Sequence, residues 1–399
     1  MHSFWQDARP IHRRTGGGVR RSRRIRRTAI ALTAALAASV VLFLVAGRTS
    51  GSSRPAAPAS PSERPVRPLW TETLPDQPQA VATSAGRIVV VGTASVTALD
   101  ASGSRRWQLR VPGAQRWVAM DAATVLVGLP KAWRAIDAAS GRPRWSVATE
   151  EDAGPGALVG AGAPIAVVST LQGGLVGIDA RSGRTLWAER LDGSFRGSPS
   201  VDPATGSIVV VTQGRATELR ALRAVDGAQR WSRPIPARSG SPLVSGGTVL
   251  VGAGDGRYHS EVDAVSVADG RLRWRSPMPA SFQPDLAPAV HRGVAYVVDQ
   301  LSHVAAFDLA DGRRRWVTDL QDAVLLGAPV PVQDAVIVAD SGRELVTLSA
   351  ADGRIRARRL ATGVPVAVVA SPRAVLVAQR LVTSDHLGAF AASRLASTP

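Results

Sequence analysis

The residues best able to do chemistry in this 399-residue sequence lie in two short segments of its second half. Residues 255–263 read DGRYHSEVD and combine carboxylates, a phenol and an imidazole, the groups that general acid–base catalysis uses. Residues 299–303 read DQLSH and place a carboxylate near a second imidazole. For both segments we favour the simpler interpretation, a solvated or internally hydrogen-bonded loop between strands.

The sequence does not favour a metal-binding or a phosphate-binding site. His259 opens an H-x-E pattern, but the deaminase signature with that pattern also needs a cysteine pair, and the chain has no cysteine. The run GAGDG at residues 252–256 lacks the strand-to-helix context of a phosphate loop, and we predict a turn there. The six histidines do not pair at metal-ligand spacing: His2, His12, His259, His291, His303 and His386. The sequence therefore predicts no catalytic, cofactor-binding or metal-binding residue.

A third candidate is the stretch AFDLADGRRRWVTDL at residues 306–320, where three arginines precede a tryptophan. A basic, aromatic nucleic-acid site would have this composition. The pattern recurs, however, with separations of 38 to 44 residues between successive glycines. In each copy a glycine precedes the aromatic position by four residues: Gly103–Trp107, Gly141–Trp145, Gly183–Trp187, Gly227–Trp231, Gly270–Trp274, Gly312–Trp316 and Gly353–Ala357. A repeated register predicts a structural role, and we expect no nucleic-acid partner.

Each repeat contains the elements of a small antiparallel sheet. Short β-branched runs, such as residues 88–92, 248–252 and 335–339, are strand signals, and the Gly, Asp and Ser clusters between them are turn signals. Such a sheet cannot bury both faces alone, so neighbouring sheets must stack in a ring. We expect the tryptophan to fill the gap between adjacent sheets and the preceding arginine to point the opposite way, toward solvent or a blade edge.

The pattern A-x-D-x-x-[ST/D]-G-x-x-x-W, present at residues 135–145 and 306–316, resembles the PQQ-like (quinoprotein-type) β-propeller repeat. The resemblance covers roughly residues 67–395 and implies an all-β propeller of four-stranded blades. Trp70, which lacks the glycine turn, is an eighth equivalent position, so we predict eight blades, with seven as the alternative. Ala357 at the last motif predicts a more loosely packed terminal unit.

The N-terminal sequence predicts a membrane anchor. Residues 1–27 hold nine arginines and one acidic residue, Asp7, so this segment carries +8 of the chain's net charge of +17. We predict that it is a cytoplasmic tail. Residues 28–47 are uncharged and long enough for a transmembrane helix, a signal anchor that leaves the propeller extracytoplasmic. A cleaved signal peptide ending near residues 45–47 is the alternative. Residues 48–67 form a Pro/Ser/Ala-rich linker, and residues 68–399 form the propeller.

Three functions fit these features. The favoured one is a membrane-anchored, non-catalytic scaffold that binds a protein or envelope-polymer partner through its loop faces, as in the BamB-like branch of the family. The second is a quinone-dependent dehydrogenase, which the resemblance associates with Ca²⁺, an aspartate base and often a vicinal disulfide. Without cysteine that disulfide is impossible, and most aspartates fall at repeat turns, so we predict no cofactor. The third is a sensor ectodomain, although residues 1–27 leave no room for an output domain.

Overall fold

The structure is a computed structural model that describes residues 67–159, 165–254, 260–279, 286–299, 301–321, 325–371, 374–380, 385–391 and 395. The predicted tail and transmembrane segment, 1–27 and 28–47, lie outside these residues, as does the linker up to residue 66. Within the described ranges, no helix is both long enough and apolar enough to cross a bilayer.

Strands dominate the described residues and form eight antiparallel sheets, which we number as blades 1 to 8. The first strand of the described residues is β1 (Trp70–Thr73). Blades 1 to 3 comprise β2 (Pro78–Ser84), β3 (Arg87–Gly92), β4 (Ser95–Asp100), β5 (Arg105–Arg110); β6 (Val118–Met120), β7 (Thr124–Leu129), β8 (Ala132–Asp137), β9 (Pro143–Ala148); and β10 (Ala153–Val159), β11 (Ile165–Thr170), β12 (Gly174–Asp179), β13 (Thr185–Arg190).

Blades 4 and 5 divide their innermost strand into two short pieces. They comprise β14 (Ser194–Phe195), β15 (Ser200–Asp202), β16 (Ser207–Gln213), β17 (Thr217–Arg223), β18 (Gln229–Pro234); and β19 (Arg238–Ser239), β20 (Leu243–Ser245), β21 (Thr248–Gly254), β22 (Ser260–Ser266), β23 (Leu272–Met278). The remaining strands are β24 (Ala289–His291), β25 (Val294–Val298), β26 (His303–Asp308), β27 (Arg314–Asp319); β28 (Val330–Val332), β29 (Ala335–Ala339), β30 (Glu344–Ser349), β31 (Ile355–Leu360); and β32 (Val364–Ala370), β33 (Val375–Arg380), β34 (His386–Phe390).

The hydrophobic core lies between blades rather than within one layer. The central strands, such as β7 and β21, are buried along their whole length because both faces of each blade pack on a neighbour. The buried residues form eight clusters, and each cluster joins strands of two successive blades. The eighth cluster joins blade 8 to blade 1, so the ring is closed.

The first strand closes the ring. β1 pairs with β34 in antiparallel register, with Trp70 opposite Ala389 and Thr73 opposite His386. The outermost strand of blade 8 therefore comes from the start of the propeller, which joins the two ends of the repeat array. The prediction of eight blades is confirmed, and the closing strand, which the sequence left open, is the one that carries Trp70.

Strand direction gives the propeller two distinct ends. We call the turn face the end with the hairpins that join the third and fourth strands of blades 1 to 7, such as residues 101–104. We call the loop face the opposite end, with the hairpins between second and third strands, such as residues 171–173, and the connections from blade to blade. Because neighbouring strands are antiparallel throughout, every blade presents the same kinds of connection to the same face.

The repeated Gly–Trp motif forms the joint between blades. Trp231 lies on the outermost strand of blade 4, and its Nε1 donates to the carbonyl of Val267 in blade 5 at 2.7 Å. Its ring covers Gly270, whose φ is +72° and whose absent Cβ would stand 2.8 Å from the ring. Seven tryptophans make the same contact, with Nε1–carbonyl distances of 2.7 to 3.2 Å: Trp70, Trp107, Trp145, Trp187, Trp231, Trp274 and Trp316. At the eighth junction Ala357 takes this position, and the cluster there includes the fully buried Leu395.

Candidate functional site

The charged residues of the motif form hydrogen bonds and ion pairs within the turns. Asp137 accepts hydrogen bonds from the Ala139 amide at 3.1 Å and from the amide and hydroxyl of Ser140, both at 2.8 Å. Arg144, the residue before Trp145, forms an ion pair with the same carboxylate. Arg144 and Ser140 hold the pKa of Asp137 well below its usual range.

The three arginines at residues 313–315 belong to a turn of the same kind. Arg313 and Arg315 both form ion pairs with Asp308, the aspartate at the start of that turn. A bulge follows at this point of the ladder, where Ala306 faces Trp316 and Phe307 faces Arg314. Arg315 is the extra residue of the bulge and is exposed, whereas the Trp316 ring is buried. The stretch is part of the blade joint.

The polar segment at residues 255–263 is described from Ser260 onward, and there it holds a buried ion pair. The Asp263 side chain is fully buried. Its carboxylate accepts hydrogen bonds from Nε and Nη2 of Arg275, at 2.7 and 2.8 Å. Glu261 lies 3.0 Å from the same guanidinium, and the two carboxylates raise the pKa of Arg275. The prediction of a turn at residues 252–256 is wrong for Gly252 to Gly254, which pair with the strand that begins at Ser260 and so extend β21.

Asp299 and His303 close a hairpin on the loop face. The buried Asp299 carboxylate accepts from the amides of Leu301 and His303, both at 3.0 Å, and contacts the His303 ring Nδ1 at 2.8 Å. In the next blade Asp340 occupies the equivalent place and accepts from the Glu344 amide at 2.7 Å. Burial raises the pKa of Asp340. These carboxylates stabilise hairpins, as expected for turn residues.

A cavity of about 630 Å³ opens on the loop face where the inner strands of blades 8, 1 and 2 begin. We call it the mouth. Its wall includes residues 77–79 at the start of blade 1, residues 114–117 before blade 2, and Arg380 of blade 8. The second segment is fixed to β7 by two backbone hydrogen bonds of 2.9 Å, from Gln115 to the Gly128 carbonyl and from Gly128 to the Trp117 carbonyl.

The side chains at the mouth combine an aromatic ring with hydrogen-bond donors. The Arg116 guanidinium lies 4.5 Å from the centroid of the Trp117 ring, a cation–π contact. Gln77, with its amide oxygen turned toward blade 8, accepts from the Arg380 guanidinium. The Oε1 of Gln115 is buried and, within the described structure, has no hydrogen-bond partner. The mouth can thus offer donors, an acceptor and a flat ring to a polar segment.

Sequence reasoning missed this site, although a signal for it is present. The pentapeptide GAQRW occurs at residues 113–117 and again at residues 227–231. The second copy is in register with the repeat, whereas the first follows the motif at Trp107 by only 10 residues. An arginine–tryptophan pair outside the repeat register is not needed for a blade joint. That departure from the period marks residues 113–117 as a candidate for another role.

Comparison with known families gives one match along the propeller. A family model described as "Outer membrane protein assembly factor BamB" matches residues 67–198, 130–258 and 258–397. The chain belongs to the PQQ-like β-propeller repeat family. The part of the sequence that this PQQ-like propeller shares with the family is the part that forms the eight blades.

Solved structures with the same fold include BamB, a designed protein and a dehydrogenase. BamB from Moraxella catarrhalis has a TM-score of 0.66 at 19% identity and covers 81% of this chain and 99% of its own. The computationally designed Ika8 protein also scores 0.66, at 12% identity, covering 82% and 99%. Quinohemoprotein alcohol dehydrogenase ADHIIG from Pseudomonas putida HK5 scores 0.60 at 12% identity, covering 84% and 76%. At these identities the PQQ-like propeller shares a fold with each of them.

A curated relative adds a different context for the PQQ-like propeller. The serine/threonine-protein kinase AfsK of Streptomyces griseus is 30% identical over 170 residues. The match covers 38% of this chain and spans 19% of the kinase's length.

The resemblance associates a quinone and Ca²⁺ with the dehydrogenases of the family, so the mouth lining must be compared with the needs of that pair. Ca²⁺ prefers several converging oxygen ligands, with carboxylates foremost among them. The described residues that line the mouth contribute glutamines and arginines but no carboxylate. Nearby Asp76 accepts a hydrogen bond from the Ala94 amide at 3.0 Å and is thereby held in a turn. The described lining does not fit a Ca²⁺–quinone pair.

Proposed function

We propose that the chain is a membrane-anchored, extracytoplasmic PQQ-like propeller that acts as a non-catalytic scaffold and holds a partner protein at the loop-face mouth. The observation that carries this proposal is the segment Gln115, Arg116 and Trp117. Tryptophan and arginine are the residues that most often dominate protein interfaces. The Oε1 of Gln115 is buried without a hydrogen bond in the described structure, and it would gain one if the side chain turned toward a partner N–H at the mouth.

The hydrogen bonds and ion pairs of the acidic side chains support a scaffold rather than an enzyme. A general base must lie within hydrogen-bond reach of a substrate proton. Asp137, Asp263, Asp299 and Asp340 instead hold hairpins or buried ion pairs, which ties each of them to the fold. The family description, an outer membrane protein assembly factor, agrees with a role in holding other proteins.

The binding role can be tested by photo-crosslinking in cells. A photoreactive residue at Gln79, in the wall of the mouth, should give a defined protein adduct, and the variant Trp117→Ala should abolish it. The matched control places the photoreactive residue at Arg215, an exposed loop-face position of blade 4, which contributes no described residue to the mouth lining. Identical adducts from both positions, or adducts unaffected by Trp117→Ala, would contradict a partner at the mouth.

The anchoring proposal rests on the uncharged residues 28–47 and the arginines before them. The chain has no cysteine, so single-cysteine variants can be labelled without background. In intact cells an impermeant maleimide should label Gln172→Cys, whereas Ser22→Cys in the tail should react only after the cells are opened. The reverse labelling pattern would overturn the topology.

A second candidate is a ligand-sensing propeller, which the similarity to the kinase AfsK favours. Purified chain, tested by calorimetry against the small-molecule fraction of the growth medium, would show saturable binding if this were its role. The same instrument tests the dehydrogenase alternative with pyrroloquinoline quinone and Ca²⁺. Stoichiometric binding with dye-linked alcohol oxidation would replace the scaffold proposal by the enzyme.

A further inference from the structure

The charge of the propeller is distributed unequally between its two faces. Each of the seven motif turns carries one more arginine than aspartates, so together they carry a net charge of +7. These turns span residues 100–106, 137–144, 179–186, 223–230, 266–273, 308–315 and 349–356. The whole of residues 68–399 carries +6. The net positive charge of the propeller therefore lies in the turns of one face, and the rest of the propeller sums to slightly negative.

The turn arginines are accessible. The side chains of Arg271, Arg313 and Arg354 are 87%, 76% and 86% exposed. Their ion pairs are with aspartates of the same turns, and two of the three contacts are 3.4 Å long. Exposed pairs of this kind bind weakly and leave the guanidinium able to exchange partners. Exposed apolar side chains, Leu272 and Ile355, stand directly between arginines in the same turns.

The chain also reaches the propeller at this face. β1 begins at Trp70, whose Nε1 donates to Ala101 in a turn of blade 1, so Arg67 and the exposed Leu69 lie on the turn-face side of blade 8. Residues 48–66 separate this point from the predicted membrane segment. A linker of that length spans roughly 25 Å as a random coil and up to about 60 Å as an extended Pro-rich segment. The turn face can thus lie against the bilayer from which the linker comes.

We infer that the turn face of the propeller is a docking surface for an anionic lipid bilayer, which directs the loop-face mouth away from the membrane. Guanidinium groups bind lipid phosphates through charge-assisted hydrogen bonds, and clustered arginines are attracted to anionic leaflets over about a Debye length. A ring of seven turns spreads this attraction across one face. The inference deepens the anchoring proposed above, since a tether at the turn face favours this orientation.

The test uses the full chain reconstituted into vesicles of phosphatidylcholine, with or without phosphatidylglycerol. A fluorophore is placed at Ala139→Cys, exposed in a turn of blade 2, or at Gln172→Cys on the loop face. A quencher is carried on the lipid headgroup. We expect several-fold stronger quenching of the turn-face probe in anionic vesicles at low salt, and loss of that difference at high salt. Equal quenching of the two probes, or no dependence on anionic lipid, would overturn the inference.

Charge variants locate the effect. The triple change Arg271→Gln, Arg313→Gln, Arg354→Gln should reduce the quenching of the turn-face probe several-fold, and Lys at the same positions should largely restore it. The matched control removes three exposed loop-face arginines by Arg215→Gln, Arg238→Gln, Arg343→Gln, which changes the net charge equally. An equal reduction by the control would show a general charge effect and refute a specific face.

The docking and the anchor can fail separately. A chain that resists carbonate extraction but shows no turn-face quenching would retain the anchor and refute the docking surface. A chain that carbonate extracts, yet floats with anionic vesicles until salt releases it, would refute the anchor and support the docking surface. Binding of soluble polyphosphate in place of the anionic vesicles would assign the turn arginines to a polyanionic polymer and overturn the bilayer as occupant.

Discussion

Residues 113–117 and 227–231 have the same sequence, GAQRW, and opposite positions in the molecule. In the second copy, on the turn face, Arg230 donates to the Thr205 carbonyl at 2.9 Å and Trp231 donates to blade 5. In the first copy, on the loop face, Arg116 stacks on Trp117 at the mouth. Both glycines have nearly the same φ, +74° and +73°. The glycine conformation is shared, but Gln229 to Trp231 form part of β18, whereas residues 115–117 precede β6, and the partners differ.

The comparison shows that register within the repeat decides the role of a motif. Gly227 lies beneath the Trp187 ring because it falls at the turn where each blade meets the last. A Cβ on Gly113 would meet only Pro130, at 3.5 Å, which is ordinary van der Waals contact. The tryptophan in register donates a hydrogen bond to the neighbouring blade, whereas Trp117, out of register, packs against the cluster between blades 2 and 3 and also lines the mouth. The turn face is therefore regular, and the loop face is where the chain varies.

The largest expected contrast is between the two tryptophans. Trp231→Ala should reduce the free energy of unfolding by roughly 3–5 kcal/mol, because it removes a ring between two blades and its hydrogen bond. Both rings are partly buried and pack on a core cluster, but in the described structure the Trp117 indole makes no hydrogen bond to a neighbouring blade, so Trp117→Ala should cost less, about 2 kcal/mol. Urea unfolding of both variants measures the difference. Equal losses would mean that Trp117 is also a joint residue and would remove it from the proposed binding site.

Much of the fold could be predicted from the sequence because a few residues recur at the same positions in every repeat. The period of Gly103 and its equivalents predicted the blade count, and the β-branched runs predicted strands such as β29. The ring closure by β1 could not be derived, since pairing between residues 70 and 389 is not visible in local pattern. The mouth was missed because its residues, Gln77, Gln115 and Arg380, come together only when three blades meet.

A smaller contrast is expected from the two glycines, which share φ but differ in surroundings. Gly113→Ala should cost roughly 1–2 kcal/mol, the price of a left-handed conformation for a residue with a Cβ. Gly227→Ala should add roughly 1–3 kcal/mol to that cost, because its Cβ would stand 2.6 Å from the Trp187 ring. Thermal unfolding of the pair separates backbone strain from crowding. Equal destabilisation would show that the Trp187 ring moves aside without cost.

Acid should weaken the turn face through its aspartates. The pKa of Asp137 is lowered in the folded protein, mainly by Arg144, so its stabilisation is present above about pH 4 and is lost as the pH falls toward the folded value. Asp137→Asn should therefore cost about 1 kcal/mol at neutral pH, allowing for the partial exposure of the pair, and progressively less in acid. A urea series at several pH values measures this. A cost that did not change with pH would assign the effect to packing.

The smallest expected effect has the opposite sign and lies on the loop face. Burial raises the pKa of Asp340, and the neighbouring Glu344 carboxylate raises it further. A raised folded pKa contributes stability below the unfolded value, and this contribution is lost as the pH rises through the folded value. Asp340→Asn keeps an oxygen that can accept from the Glu344 amide, so the hairpin should be retained. The variant should therefore gain stability relative to the parent as the pH rises.

The two aspartate variants form a matched pair, since each changes one carboxylate to an amide in a hairpin. Plotted against pH, the stability of Asp137→Asn relative to the parent should fall with rising pH, and that of Asp340→Asn should rise. Opposite slopes would show that turn-face carboxylates are held ionised by arginine while the buried loop-face carboxylate is held toward its neutral form. Arg358 already forms an ion pair with Glu344 at 2.9 Å. If both slopes were negative, Arg358 would have to stabilise the ionised form of Asp340 as well. The two faces would then differ electrostatically only in their net charge.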